Sequence, residues 1–176
     1  MTEQLVFDLA ASEPPSLSNF LPGRNAEALA TLAALAAGTV DETGIVIWGT
    51  PGGGKTHLLR ATIQAALARG APGTYVVDPG PLLAQDPEQL AAGTLIAVDN
   101  ADRAAPEAQA IVFRLFNALK DRQGLLVAAS RVPPASLPLR EDLRTRLGWG
   151  LAFEIIALSD TEKAAALAAY AAQRGL

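Results

Sequence analysis

The chain reads IVIW at 45–48, GTPGGGKT at 49–56 and HLLRATIQAALAR at 57–69. An apolar run runs into a glycine-rich turn and then into a helical stretch, and the turn matches G-x-x-x-x-G-K-[ST] at every constrained position. The chemistry needs these residue types. Glycines let backbone N–H groups turn inward around phosphate oxygens, and the start of the following helix adds partial positive charge. Lys55 reaches the β- and γ-phosphates, and the Thr56 hydroxyl can hold Mg²⁺. Gly49, Gly52, Gly53, Gly54, Lys55 and Thr56 are therefore the expected phosphate-binding residues, and ADP or ATP with Mg²⁺ the expected ligand.

Outward from this loop, short apolar runs alternate with longer helical segments. Strands are expected at Ile45–Trp48, Thr74–Val77, Leu95–Val98, Leu125–Ala129 and Leu151–Ile156, the rhythm of a parallel α/β sheet. Between Pro106 and Arg122, residues Ile111, Val112, Leu115, Phe116 and Leu119 recur at spacings of three and four, which predicts a helix packed on that sheet. The Ala-rich segment Thr161–Arg174 predicts another, with Ser159 or Asp160 at its cap. The first eighteen residues, with the Pro-containing SEPPS stretch, read as a flexible tether, and residues 19–176 as one α/β domain.

Composition narrows the chemistry. The 176 residues suit one core, half of them apolar, with 36 alanines and few aromatics. With no cysteine and one histidine there is no disulfide frame, no thiol nucleophile and little material for a zinc site. Fourteen basic against eighteen acidic residues give a net charge of −4, so the surface as a whole does not attract nucleic acid. No apolar run is long enough to span a bilayer, and Glu3 and Asp8 spoil a secretory signal, which leads to the expectation of a cytoplasmic protein without membrane contact.

Three further positions bear on chemistry. Leu95-Ile96-Ala97-Val98 ends in Asp99, placed as the carboxylate that holds the metal's water shell. The next residue is Asn100, an amide that can orient a water and cannot take its proton, so slow hydrolysis by the isolated chain is expected. Asp102 is the alternative for that task, with capping the next helix the preferred reading for it. Ser130 follows the fourth strand, where a sheet of this kind places it near the γ-phosphate although a lone serine there reads first as a loop residue, and Arg144 and Arg146 follow a Pro-rich loop. An arginine in such a place can stabilise phosphoryl transfer in a neighbouring subunit's site, against the plainer reading of a solvated basic face.

Taken together, GTPGGGKTHLL, LIAVDNAD, LLVAASRVPPASL and DLRTRLGWGL resemble the AAA+ core of the DnaA family of bacterial replication initiators and, more closely, its Hda-like regulators. The resemblance covers residues 4 to 176. It implies a P-loop NTPase fold with a five-stranded parallel sheet between helices, ending before a helical lid subdomain. It also implies that Phe20 to Asn25, with Phe20, Pro22 and Gly23 as contacts, lie near the base and sugar, that Ser130 is the sensor-1 position and that Arg146 is an arginine finger. Asn100 fits the Asp-Asn pair of the Hda-like branch. His57 would be a packed structural residue, and Arg140 and Arg144 surface or interface charges. The hexapeptide Gln4-Leu5-Val6-Phe7-Asp8-Leu9 is similar to the clamp-binding motif Q-L-x-[LF]-x-[LF], with Gln4, Leu5, Phe7 and Leu9 as the contacts.

The implied function is a nucleotide-binding regulator that, with the sliding clamp, promotes ATP hydrolysis by the initiator DnaA and so prevents re-initiation. DNA would be met only through the clamp, and monomer or homodimer is left open. Two rivals stand beside it: an autonomous AAA+ ATPase of loader or motor type, and a binding module stabilised by a relic nucleotide site.

Overall fold

The computed structural model describes residues 13–173. The clamp-like hexapeptide Gln4–Leu9 and the terminal residues 174–176 lie outside the described residues. The chain order is α1 (Ala26–Ala36), β1 (Gly44–Trp48), α2 (Lys55–Ala68), β2 (Gly73–Val76), β3 (Leu95–Val98), α3 (Pro106–Asp121), β4 (Leu125–Ser130), α4 (Glu141–Trp149), β5 (Leu151–Glu154) and α5 (Asp160–Gln173), with short 3₁₀ turns between some of them. All four strand pairings are parallel, in the order β2-β3-β4-β1-β5.

Continuous apolar runs make the strands because both faces of the sheet are covered. Ile45, Ile47, Ala97, Val127 and Ala129 face a core shared with α1 and α2 through Leu32, Leu58, Leu59 and Ile63. Their neighbours Val46, Ile96, Val98, Leu126 and Ala128 face the other core, with Leu115, Phe116 and Leu119 of α3 and Leu143 and Leu147 of α4. Each of these leucines, wholly withdrawn from water, contributes on the order of 2 kcal/mol. All five residues expected on the inner face of α3 are buried.

Several boundaries move for identifiable reasons. β2 runs from Gly73 to Val76 and releases Val77 to solvent. β5 ends at Glu154 rather than Ile156: the Ile155 amide still donates to the Trp48 carbonyl, but Ile156 is paired by a side chain, that of Asn25. α5 starts at Asp160 behind Ser159, whose hydroxyl accepts from the Glu162 amide while Glu162 accepts from the Ser159 amide and hydroxyl. This reciprocal box holds the Glu162 carboxyl below its ordinary value, mainly through the hydrogen bond from the Ser159 backbone.

The expected tether also needs correction where it is described. Ser16 and Asn19 exchange hydrogen bonds, the Ser16 carbonyl lies 2.9 Å from His57 Nε2, and Leu17 packs against the α1/α2 core. Residues 16–18 thus belong to the body of the domain. The Pro14 carbonyl also accepts from Asn19 Nδ2, and the rest of the expected tether, residues 1–12, lies outside the described residues.

Candidate functional site

Parallel register brings the chemistry to one edge. Trp48 is level with Ser130, and Val98 with Ala128, so the turn after β1, Asp99 after β3 and Ser130 at the end of β4 emerge side by side. In open α/β sheets, this carboxyl edge is where ligands bind.

The turn after β1 is shaped for an anion. Gly54 stands before α2 with φ 97°, a left-handed conformation, and a Cβ there would approach Phe20 Cε2 to 2.7 Å. No side chain caps α2, and the amides of Thr56 and His57 have no acceptor among the described residues. Open N–H groups at the start of a fourteen-residue helix make a phosphate seat. Lys55 Nζ donates to the carbonyls of Gly49 (2.7 Å) and Thr50 (2.9 Å), folding the ammonium over the loop. Burial pushes its pKa down from 10.5, partly opposed by the Asp99 and Asp102 carboxylates, with Arg131 adding to the fall.

Opposite the loop, the buried Asp99 is held at both oxygens. Oδ2 accepts from Thr56 Oγ1 at 2.5 Å and from the Tyr75 phenol at 3.4 Å, and Oδ1 accepts from the Asn100 amide at 2.9 Å. Thr56 and Asp99 thus present two hard oxygens to one spot, a donor set that fits Mg²⁺, which takes few protein ligands and completes its octahedron with water and phosphate. No group of three or more His, Cys, Asp or Glu residues suited to a metal occurs among the described residues.

Asn100 takes a left-handed conformation (φ 49°), and its Nδ2 donates to the Val77 carbonyl at 2.8 Å, tying the ends of β3 and β2 together. It lines the cleft, with its donor engaged by the Val77 carbonyl. Ser130 is buried in the same wall, and its hydroxyl donates to the Val132 carbonyl at 2.6 Å. Asp102 does not cap α3: that helix starts at Pro106 with Ala105 before it and no side-chain cap, and Asp102 pairs instead with Arg131 at 2.9 Å.

Two clefts meet at the loop. One, of about 450 Å³, is lined by Pro51, Gly52, Gly54, Lys55, Thr56 and Asp99, with Asn100, Arg103, Ser130 and Arg131 completing the wall. The other, of about 340 Å³, lies across Gly52–Gly54 and is lined by Phe20, Leu21, Asn25, His57, Ile156 and Leu158 among others. One side is charged and the other largely apolar. Pro22 and Gly23 belong to the turn that supports this second cleft: the Pro22 carbonyl accepts from the Asn25 amide, and Gly23, at φ 47°, comes up against Leu158. The buried Asn25 side chain donates to the Ile156 carbonyl (2.9 Å) and accepts from its amide (2.8 Å). The His57 ring lies 5.5 Å from that of Phe20, with Nε2 against the Ser16 carbonyl.

Arg146 lies apart from both clefts. On α4, its guanidinium stacks 4.5 Å from the Trp149 ring centroid and 5.9 Å from that of Phe113 on α3, and Trp149 is 66% exposed. Arg140, at the start of α4, pairs with Asp142 at the surface. Tyr75, Arg103 and Arg131 escaped the sequence reading. Tyr75 was legible in strand parity, since Tyr75 is level with Ala97 and so shares the face of Asp99. Arg131 had no comparable signal.

This is the α/β fold of a P-loop protein of the AAA+ type. Among solved structures, it is similar to a DNA replication initiation factor (23% identity, TM-score 0.77, covering 92% of this chain and 55% of that one). It is similar also to the AMPPCP-bound DnaA of Aquifex aeolicus (25% identity, TM-score 0.75, 93% and 56%) and to domain III of Thermotoga maritima DnaA (21%, TM-score 0.70, 82% and 68%). The chain spans about half the length of the first two. No protein-family model matches it. No described helix is long and apolar enough to cross a membrane.

Proposed function

We propose that the chain binds ADP or ATP with Mg²⁺ and regulates replication initiation in the manner of the Hda-like branch, acting on ATP held by a DnaA initiator. The base lies in the apolar cleft against Phe20, with Pro22 and Gly23 supporting the turn behind it, and the phosphates cross Gly52, Gly53 and Gly54 to Lys55. Thr56 and Asp99 take the metal, Asn100 orients water through the amide atoms its bond to Val77 leaves free, and Ser130 turns its hydroxyl from the Val132 carbonyl to the terminal phosphate. The likeness to a DnaA solved with AMPPCP supports a nucleotide in this place.

The observation that carries the regulatory part is the position of Arg146, half-buried on α4 with its guanidinium against the Phe113 and exposed Trp149 rings and away from its own phosphate cleft. A guanidinium so placed serves a triphosphate on another molecule, and a trans arginine is worth roughly 10³ to 10⁵ in rate. Gln4, Leu5, Phe7 and Leu9 moor the protein to the DNA-loaded sliding clamp, raising its local concentration near the initiator.

The test is a reconstitution with ATP-bound initiator and clamp-loaded DNA. Stimulated hydrolysis that falls when Gln4, Leu5 and Phe7 are replaced by alanine supports the reading. Multiple turnover by this chain alone, abolished by Lys55→Ala and indifferent to the initiator, would establish an autonomous ATPase instead.

A further inference from the structure

The ion pair between Asp102 and Arg131 has no part in the reading above. Arg131 follows Ser130 directly at the end of β4, between the strand that leads into the phosphate loop and the strand that ends in Asp99, and it lines the charged cleft. Its Nε donates to Asp102 Oδ2 at 2.9 Å. The Asp102 side chain is only 6% exposed, against 50% for that of Arg131. The carboxylate is thus the buried member of the pair, and Arg131 the member that lines the cleft. Asp102 Oδ1 is the one buried side-chain polar atom without a hydrogen-bond partner among the described residues, and it leaves a second acceptor for the guanidinium fork. The Nη groups of Arg131 have no partner among those residues. Both members of the pair lie within electrostatic reach of Lys55, whose pKa Asp102 raises and Arg131 lowers.

Direction follows from the two clefts. A nucleotide with its base against Phe20 and its phosphates over Gly52–Gly54 ends on the charged side, where Arg131 stands. We propose that Asp102 and Arg131 form a terminal-phosphate clamp, Asp102 holding Nε while the Nη groups donate to the γ-phosphate, so that the pair sets the preference for tri- over diphosphate. This rests on the nucleotide-binding reading. Guanidinium suits the task because its planar fork stays charged and meets phosphate with paired donors. The buried carboxylate is what keeps that fork from wandering.

The test is equilibrium titration of mant-labelled ADP and of mant-labelled AMPPNP, a non-hydrolysable triphosphate, with Mg²⁺. Expected for Arg131→Ala is a loss of about tenfold or more in triphosphate affinity with ADP affinity held within about twofold. Arg131→Lys restores part of the loss, and Asp102→Asn moves in the same direction as Arg131→Ala. Melting curves check that each variant is folded, and the half-exposed Arg131 is the position that tolerates change. Equal weakening of both nucleotides, or no change in either, overturns the clamp while leaving nucleotide binding intact. Failure of the unaltered protein to bind either nucleotide overturns the underlying reading and the clamp with it.

Discussion

Thr56 Oγ1 donates to Asp99 Oδ2 across 2.5 Å, so the first turn of α2 and the end of β3 are joined through the two oxygens that would flank a metal. The hydroxyl and carboxylate are 43 residues apart in sequence. Only the parallel crossover through β2 brings them together.

Removing the hydroxyl separates metal from nucleotide. Thr56→Ala is expected to abolish most of the Mg²⁺ enhancement of nucleotide affinity and to leave metal-free binding nearly unchanged. Stability should fall by only about 1 kcal/mol, the usual worth of one hydrogen bond. Titrations with Mg²⁺ and with EDTA check this, and an undiminished Mg²⁺ effect would remove Thr56 from the metal site.

Lys55 gives a pH dependence with a definite sign. Its pKa in the nucleotide-free protein is lowered, chiefly by burial, and an approaching phosphate raises it again. Affinity should therefore be full below the lowered free-state pKa and decline as pH rises through the higher pKa of the complex. Lys55→Ala should weaken binding roughly a hundredfold by removing a charge-assisted phosphate contact, and should flatten that alkaline decline. Equal pH profiles for the two proteins would contradict the assignment.

Gly54→Ala meets two obstacles, a positive φ and the Phe20 ring. The left-handed backbone alone costs about 1–2 kcal/mol. Denaturant unfolding should show at least that loss, and adding Phe20→Ala should relieve the ring contact and leave the backbone cost. An unchanged midpoint for the single variant would contradict the geometry of the loop.

Asn25→Ala strips the Ile156 backbone of its partner in a buried setting. A loss of about 2–3 kcal/mol is expected from two hydrogen bonds and a stranded carbonyl. Because Ile156 lines the apolar cleft, nucleotide affinity should fall as well, measurably at temperatures where the variant is fully folded. Loss of stability with unaltered affinity would detach this cleft from the ligand.

Much of this was legible in the chain because it is local. The loop from Gly49 to Thr56 carries its own geometry in its glycines, and α3 announces itself by the spacing of Ile111, Leu115 and Leu119. Asp99 was legible as the polar end of a buried strand. The misses are tertiary. Asn25 replaces a strand partner for a residue 131 positions away, which no window contains. Asp102 was read as a cap because Asp often caps helices, yet Pro106 sets the start of α3 four residues on, leaving the carboxylate to Arg131. Ser16 and Leu17 looked like tether from their Pro-rich surroundings, and only the groove beside His57 and α1 shows why they stay.

The regulatory claim turns on whose triphosphate Arg146 serves. Initiator preloaded with γ-³²P-ATP, mixed with clamp-loaded DNA and excess of this protein, should release phosphate faster with the unaltered chain and at the unstimulated rate with Arg146→Ala, while that variant binds nucleotide normally. Full stimulation by Arg146→Ala would contradict the account.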